Sequence, residues 1–355
     1  MKSALVLLAA LAAAPAFAEA PDAYAEISEI AEAARVEWGS PGMSVAVVVD
    51  GRIAWARGFG LADVENDVEA GPDTVYRIAS ISKPLSATAV LQLVEQGRLS
   101  LDDSVTKHVP SFPDRGLGIT LRHLLTHTSG IRHYQDGEMN LKVHFDTISD
   151  ALEIFKDDPL LFTPGTKYSY SSYAYNLLGA VVERTSGLTF DAYMKEKVWG
   201  PAGMNATRLE HQGEIVPRRA RQYVRSGNES VRNAPFADLS VKWAGGGMIS
   251  TVEDLARFAI ALDEGILLKS ETLEAMYEPM ALADGSRTEY GLGWDTRLDG
   301  KGRRWIAHGG GATGGSTYIL RLPEKRFAIV IAANVQDAGD RRVLGMKIAE
   351  LVLGR

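Results

Sequence analysis

Three short segments of this sequence carry residue types suited to acyl transfer. The first is Ser-Ile-Ser-Lys at 80–83, where a serine hydroxyl and a lysine amine lie three positions apart. At the start of a helix, this spacing places both groups on one face, about one turn apart. The Lys83 amine can then accept the proton of Ser80, provided that burial lowers the pKa of the amine. The free N–H groups of the first helical turn also offer donors to a developing oxyanion.

The surroundings of Ser80 distinguish this segment from a second Ser-x-x-Lys at 104–107. Ser80 follows an extended run at 75–78 and precedes a strong helical pattern, with Pro84 suited to the first turn. Ser104 instead lies among acidic residues and close to a proline, as in a loop. We therefore take Ser80 as the candidate nucleophile. The alternative for this motif alone is a capping serine beside a solvated lysine.

Two further segments lie far along the chain. Residues 168–172 (Tyr-Ser-Tyr-Ser-Ser) follow a Pro-Gly turn signal and precede a helical pattern. Tyr170 in this segment can serve as a general base if nearby cations stabilise its phenolate. Residues 308–311 (His-Gly-Gly-Gly) combine a polar side chain with glycines that let a substrate backbone approach closely. The structural alternatives are an aromatic residue packed in an interface and the glycines of a hairpin loop.

The elements that must position these segments follow from hydrophobic periodicity and turn residues. Helices are predicted at 21–38, 84–96, 121–126, 173–185, 190–198, 252–263, 270–277 and 342–353. Strands are predicted at 43–49, 53–60, 305–308, 317–322 and 328–333, with Asp50 and Gly51 as a hairpin turn between the first two.

This order of elements predicts an α+β fold. One antiparallel sheet would be built from both chain ends and flanked by helices, and the middle of the chain would form a mostly helical subdomain. We place the sheet subdomain at about 21–100 and 245–355, and the helical subdomain at about 101–244. A groove between two such subdomains is a usual place for a small-substrate site.

Composition excludes several classes of function. The 355 residues are 46% hydrophobic and 23% charged, which is typical of a folded globular chain. The net charge of −7 argues against a nucleic-acid partner. The sequence contains no cysteine, which removes thiolate nucleophiles, disulfides and cysteine-ligated zinc.

The N-terminal segment has the pattern of a signal peptide. Lys2 precedes an apolar run at 4–14, and Ala16 and Ala18 supply small residues at the positions that signal peptidase reads. The run is too short to span a membrane, which takes about 20 apolar residues. We therefore predict a signal peptide at 1–18, cleavage after Ala18, and a periplasmic or secreted domain at 19–355 without a stable membrane span.

The order of the three chemical segments resembles that of the serine β-lactamase and penicillin-binding-protein superfamily. The resemblance is strongest to its class C β-lactamase-like group (peptidase S12 type), which the segments at 75–83, 121–130, 201–204 and 245–251 also resemble. Within this group, the run at 129–134 and the histidine that opens the third segment are most similar to the mitochondrial β-lactamase-like serine proteases. The resemblance extends through nearly the whole predicted mature chain and implies a β-lactamase/transpeptidase-like fold.

The resemblance also implies roles for individual residues. Ser80 would be the nucleophile, and Lys83 would accept its proton or tune it. Tyr170 would be the general base for acylation and the acid for the leaving group. The backbone N–H groups of Ser80 and Gly311 would form the oxyanion hole, with Gly310 beside them in the substrate-binding strand.

Two positions depart from the pattern of the group. Ser172 stands where an asparagine is usual, so the side-chain amide that holds the substrate acyl group is missing. His308 replaces the lysine of the third segment, and its weaker charge at neutral pH reduces the capture of a substrate carboxylate. Both changes argue against an efficient β-lactamase and favour amide or ester hydrolysis. Lys83, Tyr170 and His308 would titrate as a coupled set.

We therefore expect a serine hydrolase that acts through an acyl-enzyme on a small peptide-like amide, ester or lactam, with no cofactor and no metal. A carboxylesterase of the same fold is one alternative, and a non-catalytic or self-assembling scaffold is another, since self-association is known among the mitochondrial relatives. A Gly-x-Ser-x-Gly elbow is absent from the sequence, which argues against an α/β-hydrolase site.

Two polar groups have structural explanations in the sequence. His123 and His127 are spaced as metal ligands could be, but helix-end packing and capping accounts for them better. The cluster of Arg218, Arg219 and Arg221 is typical of a solvated face, with contact to an anionic substrate as the alternative.

Overall fold

A computed structural model describes residues 21–113, 116–227 and 230–354. The predicted signal peptide at 1–18 lies outside these residues. In the described ranges, every helix is too short or too polar to cross a lipid bilayer.

The strands and helices are numbered in chain order. The strands are β1 (Gly42–Val49), β2 (Arg52–Asp63), β3 (Val68–Glu69), β4 (Tyr76–Arg77), β5 (Arg208–Leu209), β6 (Tyr223–Ser226), β7 (Ser230–Asn233), β8 (Met248–Ser250), β9 (Asp295–Leu298), β10 (Arg304–Ala312), β11 (Gly315–Leu322) and β12 (Phe327–Ala333). The α-helices are α1 (Pro21–Glu37), α2 (Ser82–Glu95), α3 (Val105–His108), α4 (Leu121–Leu125), α5 (Ile148–Leu152), α6 (Ser172–Ser186), α7 (Phe190–Tyr193), α8 (Trp243–Gly246), α9 (Val252–Asp263), α10 (Ser270–Tyr277) and α11 (Arg341–Leu353). Short 3-10 turns lie at Ala79–Ile81, Glu138–Asn140, Ser240–Lys242 and Pro323–Lys325, and a π-helical segment lies at Met194–Trp199.

Both chain ends contribute to one antiparallel sheet, as predicted. In the described part of the chain it has seven strands in the order β3-β2-β1-β12-β11-β10-β9. Strand β1 pairs with β2 on one side and with β12 on the other, so that Val45 faces Arg57 and Ile331. The β1–β2 turn has φ values of 50° at Asp50 and 74° at Gly51. Two successive positive φ values match the twist of a two-residue hairpin, which explains the Asp-Gly pair.

Alternating side chains on the central strands face two cores. Val45 and Val47 of β1 pack with residues of α1 and α11, whereas Ala46 and Val48 belong to the core shared with the helical middle of the chain. Both faces of the central strands are covered, so every residue of β11 and β12 is buried, including the polar Ser316, Thr317 and Arg321 of β11. The sheet therefore serves as a rigid wall on which one strand, β10, carries site residues.

The helical layer packs α2 against α6 and α8. Most residues of α2 and the first two thirds of α6 are buried, which holds the N-terminal ends of both helices in fixed positions. A small sheet of β4, β8 and β5 ties the segment before α2 to the segment after α8. These contacts position the residues discussed below.

Two predicted elements are present but differ in extent or type. The strand predicted at 305–308 is longer, because β10 continues through the glycines at 309–311 to Ala312 and pairs with β11 from Ile306 to Ala312, which excludes the hairpin-loop alternative for these glycines. The helix predicted at 190–198 consists of α7 followed by the π-helical segment Met194–Trp199.

Candidate active site

Ser80 lies at the entrance of α2, in a segment that its neighbours hold firmly. The preceding residue, Ala79, has a φ of 48°, a left-handed conformation that is unfavourable for alanine. The amide of Ile78 donates to the Met248 carbonyl (3.1 Å), and the Thr317 hydroxyl donates to the Ile78 carbonyl (2.7 Å). Such strain persists where the surroundings determine the backbone, as it often does at functional sites. Ser80 itself is half-buried, so its hydroxyl remains open to a substrate.

Lys83 is fully buried in the first turn of α2, and its amine contacts three groups. The Nζ atom lies 3.1 Å from the Ser80 Oγ and 2.9 Å from the Ser172 Oγ. The same nitrogen lies 2.5 Å from the Gly245 carbonyl oxygen. A neutral amine can donate its two N–H groups to the carbonyl of Gly245 and the hydroxyl of Ser172. Its lone pair is then left for the hydroxyl of Ser80.

Burial is the main reason why the pKa of Lys83 is lowered well below 10.5, and the nearby charge of Lys242 lowers it further. Desolvation disfavours the charged form of an amine, so Lys83 is readily deprotonated. The combination of a lowered pKa and a contact to Ser80 Oγ suits a general base. The sequence-based condition for this chemistry, a buried lysine, is therefore met.

Tyr170 lies in the extended stretch just before α6, and its hydroxyl is close enough to that of Ser80 for Ser80 to lower its pKa. The Lys83 Nζ atom lies 4.6 Å from the centre of its ring. Burial raises the pKa of Tyr170 well above 10, although the nearby Ser80 hydroxyl opposes this shift in part. Tyr170 is therefore a neutral phenol at physiological pH. It can donate its proton, and it could act as a base only after losing that proton.

His308 is buried on β10, and its two ring nitrogens are both occupied. Its Nδ1 lies 2.8 Å from the Gly309 carbonyl oxygen and can only donate there, while its Nε2 lies 2.8 Å from the Tyr290 hydroxyl. Burial and the nearby Lys83 lower the pKa of His308 to about 3. The ring centre is 6.4 Å from that of Tyr170. His308 is thus a neutral neighbour of Tyr170, and its direct partner is Tyr290.

Gly310 and Gly311 bring β10 against the nucleophile segment. A Cβ atom on Gly310 would lie 2.4 Å from the Ile78 carbonyl oxygen and 2.2 Å from the Thr317 hydroxyl. Only glycine permits this approach. The next residue of the strand, Gly311, is exposed to solvent. No described atom lies within 4 Å of the place that a Cβ atom on Gly311 would occupy. Its backbone therefore borders open space beside the segment that carries Ser80.

Four residues that the sequence analysis did not assign to the site also lie in it. Gly245 accepts from Lys83, and Tyr290 contacts His308. His127 and His133 surround Tyr170, with ring centres 4.2 and 5.5 Å from that of the tyrosine. The glycine run at 245–247 was a usable signal, since a Cβ on Gly245 would lie 2.5 Å from the Ser172 carbonyl oxygen. No sequence pattern pointed to Tyr290.

The second Ser-x-x-Lys is a structural element. Ser104 precedes α3, and Lys107 is 62% exposed and forms an ion pair with Asp103 at 2.6 Å. Its amine is therefore a solvated cation, unlike the buried amine of Lys83. Ser104 and Lys107 offer a matched control for experiments on Ser80 and Lys83.

The remaining polar groups of the sequence have structural partners. His123 completes the capping box of α4 with Thr120. Within the described residues, no cluster of three or more potential metal ligands is found. The three arginines of the basic cluster pair with acidic residues, namely Arg218 with Asp73, Arg219 with Glu210 and Arg221 with Glu65.

Comparisons with known proteins agree with this arrangement. The human mitochondrial serine beta-lactamase-like protein LACTB (Homo sapiens) is 33% identical over 397 aligned positions, which cover 85% of this chain and 72% of that protein. The octameric penicillin-binding protein homologue from Pyrococcus abyssi superimposes with a TM-score of 0.81 at 27% identity, covering 94% of this chain and 78% of the homologue. A D-stereospecific amidohydrolase from Streptomyces sp. gives a TM-score of 0.76 at 29% identity, covering 92% and 97% of the two chains.

These relatives confirm the resemblance inferred from the motifs and the fold that it implied. The family model described as Beta-lactamase matches residues 27–353, which include all three chemical segments. The chain belongs to the Beta-lactamase family, a family of serine hydrolases.

Proposed function

We propose that this protein is an exported serine hydrolase that cleaves small peptide-like amides, and related esters or lactams, through an acyl-enzyme on Ser80. The observation that carries the proposal is the contact of the buried Lys83 amine with Ser80 Oγ at 3.1 Å, with the phenol of Tyr170 beside both groups. A nucleophile held between a base and an acid is the arrangement that acyl transfer needs.

Acylation follows from these contacts. Neutral Lys83 takes the proton of Ser80 as the serine oxygen bonds to the substrate carbonyl carbon. The backbone N–H groups of Ser80 and Gly311 stabilise the oxyanion that forms. The C–N bond then breaks, the leaving amine takes the phenolic proton of Tyr170, and the proton held by Lys83 replaces it. Water releases the acyl group by the same transfers in reverse.

The protonation states of Tyr170 and Lys83 determine which of them donates a proton and which accepts one in the proposed reaction. Because burial keeps its pKa well above 10, the phenol of Tyr170 holds its proton and can donate it, whereas the amine of Lys83, with its lowered pKa, is available in the neutral form that accepts one. The principal base in the proposed reaction is therefore Lys83, and Tyr170 acts on the leaving group.

The proposed substrate class follows from two groups that the site lacks, a positive charge for a substrate carboxylate and a side-chain amide for the acyl group. His308 is neutral and hydrogen-bonded to Tyr290, so it supplies no positive charge for a substrate carboxylate. The hydroxyl of Ser172 contacts Lys83, where the family pattern has an amide for the acyl group. These features favour neutral amides over β-lactams, and the Streptomyces relative, named as an amidohydrolase, supports that choice.

Active-site labelling tests the proposed nucleophile. We expect a fluorophosphonate probe to label the wild-type protein and the Ser104→Ala control, and not the Ser80→Ala variant. Turnover of Ser80→Ala should fall by up to about a million-fold, as when a nucleophile is removed from a catalytic unit. Equal labelling of Ser80→Ala and wild type would refute the proposal.

A substrate panel tests the bond type. It comprises nitrocefin, a short-chain p-nitrophenyl ester, and D- and L-amino-acid amides. Turnover of an amide at the highest kcat/KM supports the amidase, whereas turnover of the ester alone would favour the carboxylesterase alternative. We expect His308→Lys to gain turnover on substrates that carry a free carboxylate, because lysine adds the charge that His308 lacks.

Export and self-association are part of the proposal. Export is supported by the pattern at 1–18, and N-terminal sequencing of the mature protein should find cleavage after Ala18. Self-association is supported by the octameric state of the Pyrococcus homologue. Light scattering of the purified protein tests it, and assembly without turnover of any substrate would favour the scaffold alternative.

A further inference from the structure

The stretch that carries Tyr170 is held by two histidines. The amide of Ser169 donates to the carbonyl oxygen of His127 at 2.9 Å. The amide of Ser171 donates to the ring Nδ1 of the same histidine at 3.1 Å, and the amide of Ser172 donates to Nδ1 of His133 at 3.1 Å. Backbone groups on both sides of Tyr170 are therefore bound to histidines.

These bonds satisfy groups that the local backbone leaves open. The amide of Ser172 belongs to the first residue of α6, where no intrahelical acceptor exists. Ser171 is the N-cap of that helix, and its own hydroxyl accepts from the Ala174 amide. The two imidazoles thus fix the point where the extended stretch becomes a helix, and this point sets the direction in which Tyr170 projects.

The histidine rings also contact the tyrosine ring directly. The ring centre of His127 lies 4.2 Å from that of Tyr170 in a tilted arrangement. His133 lies 5.5 Å from it, edge to face. Edge-to-face and tilted contacts at these distances are the favourable geometries for aromatic pairs. The same two side chains therefore restrain Tyr170 at its backbone and at its ring.

An imidazole nitrogen can accept a hydrogen bond only when that nitrogen carries no proton, so the Nδ1 atoms of both rings must be unprotonated. Burial lowers the pKa of His127 well below 6.5 and that of His133 to about 4. The surrounding charged and titratable groups are mostly cationic or neutral. Those that act on the two rings are Lys83, Lys242, His308 and Glu138, and the neighbouring phenols are Tyr134, Tyr168, Tyr170, Tyr175 and Tyr290.

Two features of the His127 conformation are energetically unfavourable: its backbone angle and the environment of its Nε2 atom. Its φ of 58° lies in the left-handed region, which residues other than glycine adopt uncommonly. Its buried Nε2 has no hydrogen-bond partner among the residues that the structure describes. A buried donor without an acceptor costs about 1–3 kcal/mol. An apolar side chain would avoid that cost, so the Nδ1 contact is the feature that distinguishes histidine here.

We propose that His127 and His133 are positioning residues that hold the Tyr170 hydroxyl near Ser80 by accepting hydrogen bonds from the backbone amides of Ser171 and Ser172. The inference rests on the proposed role of Tyr170 and adds two residues to the machinery that supports it. Neither imidazole exchanges a proton with the substrate. Their effect on the reaction passes through the placement of the phenol.

His133 gives the cleaner test because it is only half-buried. His133→Leu removes the acceptor, and His133→Asn retains one, since the amide oxygen of asparagine can occupy the place of Nδ1. We expect the acylation rate of His133→Leu to fall by about 100-fold, the effect of a misplacement of about 1 Å. His133→Asn should recover most of that loss. His108→Leu, which removes another half-buried histidine, should have no effect.

A double-mutant cycle separates positioning from a general structural effect. In a Tyr170→Phe background, which lacks the hydroxyl, His133→Leu should cause no further loss of acylation rate. Thermal unfolding of each variant shows whether it is folded. His127→Asn and His127→Leu repeat the comparison, since asparagine also tolerates a positive φ.

The outcomes distinguish this inference from the proposed function. Equal rates for His133→Leu and wild type, equal losses for the Leu and Asn variants, or an undiminished effect of His133→Leu in the Tyr170→Phe background would overturn the inference. The proposed function itself would fail if Tyr170→Phe and Ser80→Ala kept wild-type turnover. Loss of turnover in those two variants with none in the histidine variants refutes only the positioning role.

Discussion

Acid should destabilise this protein through its buried His308. The folded state holds this imidazole neutral with a pKa of about 3, whereas an unfolded chain would have the ordinary value of 6.5. Between these values the unfolded state binds a proton that the folded state does not, so the free energy of unfolding falls as the pH falls. The contribution is unchanged above pH 6.5 and is lost progressively down to about pH 3.

The two pKa values determine the size of the effect. At about pH 5, the proton bound by the unfolded state lowers the free energy of unfolding by about 2 kcal/mol relative to about pH 7.5, at 1.36 kcal/mol per pKa unit. His308→Gln removes the titrating group and retains an acceptor for the Tyr290 hydroxyl. We therefore expect the variant to lose about 2 kcal/mol less stability than the wild type over this interval.

Urea unfolding at the two pH values measures this difference. His144→Gln is a suitable control, because it removes a histidine whose side chain is 47% exposed. That variant controls for the exchange of a histidine for glutamine at a position outside the active site. If the wild type and His308→Gln lose the same stability between the two pH values, then His308 is not held neutral and our account of its electrostatics is wrong.

Three further predictions concern the site. Lys83→Met should lower kcat/KM by at least about 100-fold, since it removes general-base catalysis, whereas Lys107→Met should leave it unchanged. Ser172→Ala should slow acylation about tenfold, measured by stopped-flow labelling, because the buried amine loses one hydrogen-bond acceptor. Gly310→Ala should lower the free energy of unfolding in urea by about 1–3 kcal/mol, because its methyl group would overlap the Ile78 carbonyl oxygen. Unchanged stability of Gly310→Ala would mean that β10 and the nucleophile segment separate at little cost.

Regular elements with strong local signals could be predicted from the sequence. Helix α9 begins and ends as predicted at 252 and 263, because Thr251 caps an amphipathic pattern. The β1–β2 hairpin follows from an Asp-Gly pair that accepts positive φ. Strands of two or three residues, such as β4 and β8, carry no such signal, because their pairing depends on tertiary contacts.

In the active site too, local contacts could be predicted from the sequence, whereas contacts between distant segments could not. The spacing of Ser80 and Lys83 is local, so their proximity on one helix face could be predicted. The contact of Lys83 with the Gly245 carbonyl joins distant segments through a backbone atom, and no side-chain pattern encodes it. The sequence pattern around His127 indicates only helix-end packing and capping, because its contact with the Ser171 amide forms only when the chain is folded.

The central position of β1 has a consequence for how the chain is made. One edge of this strand pairs with β2 as soon as the hairpin forms, but the other edge pairs with β12, which is synthesised almost last. Contacts this distant in sequence slow folding. Until they form, the growing polypeptide presents an apolar strand edge that other chains can join. A nonsense mutation upstream of β12 should therefore yield aggregates and not a smaller working enzyme.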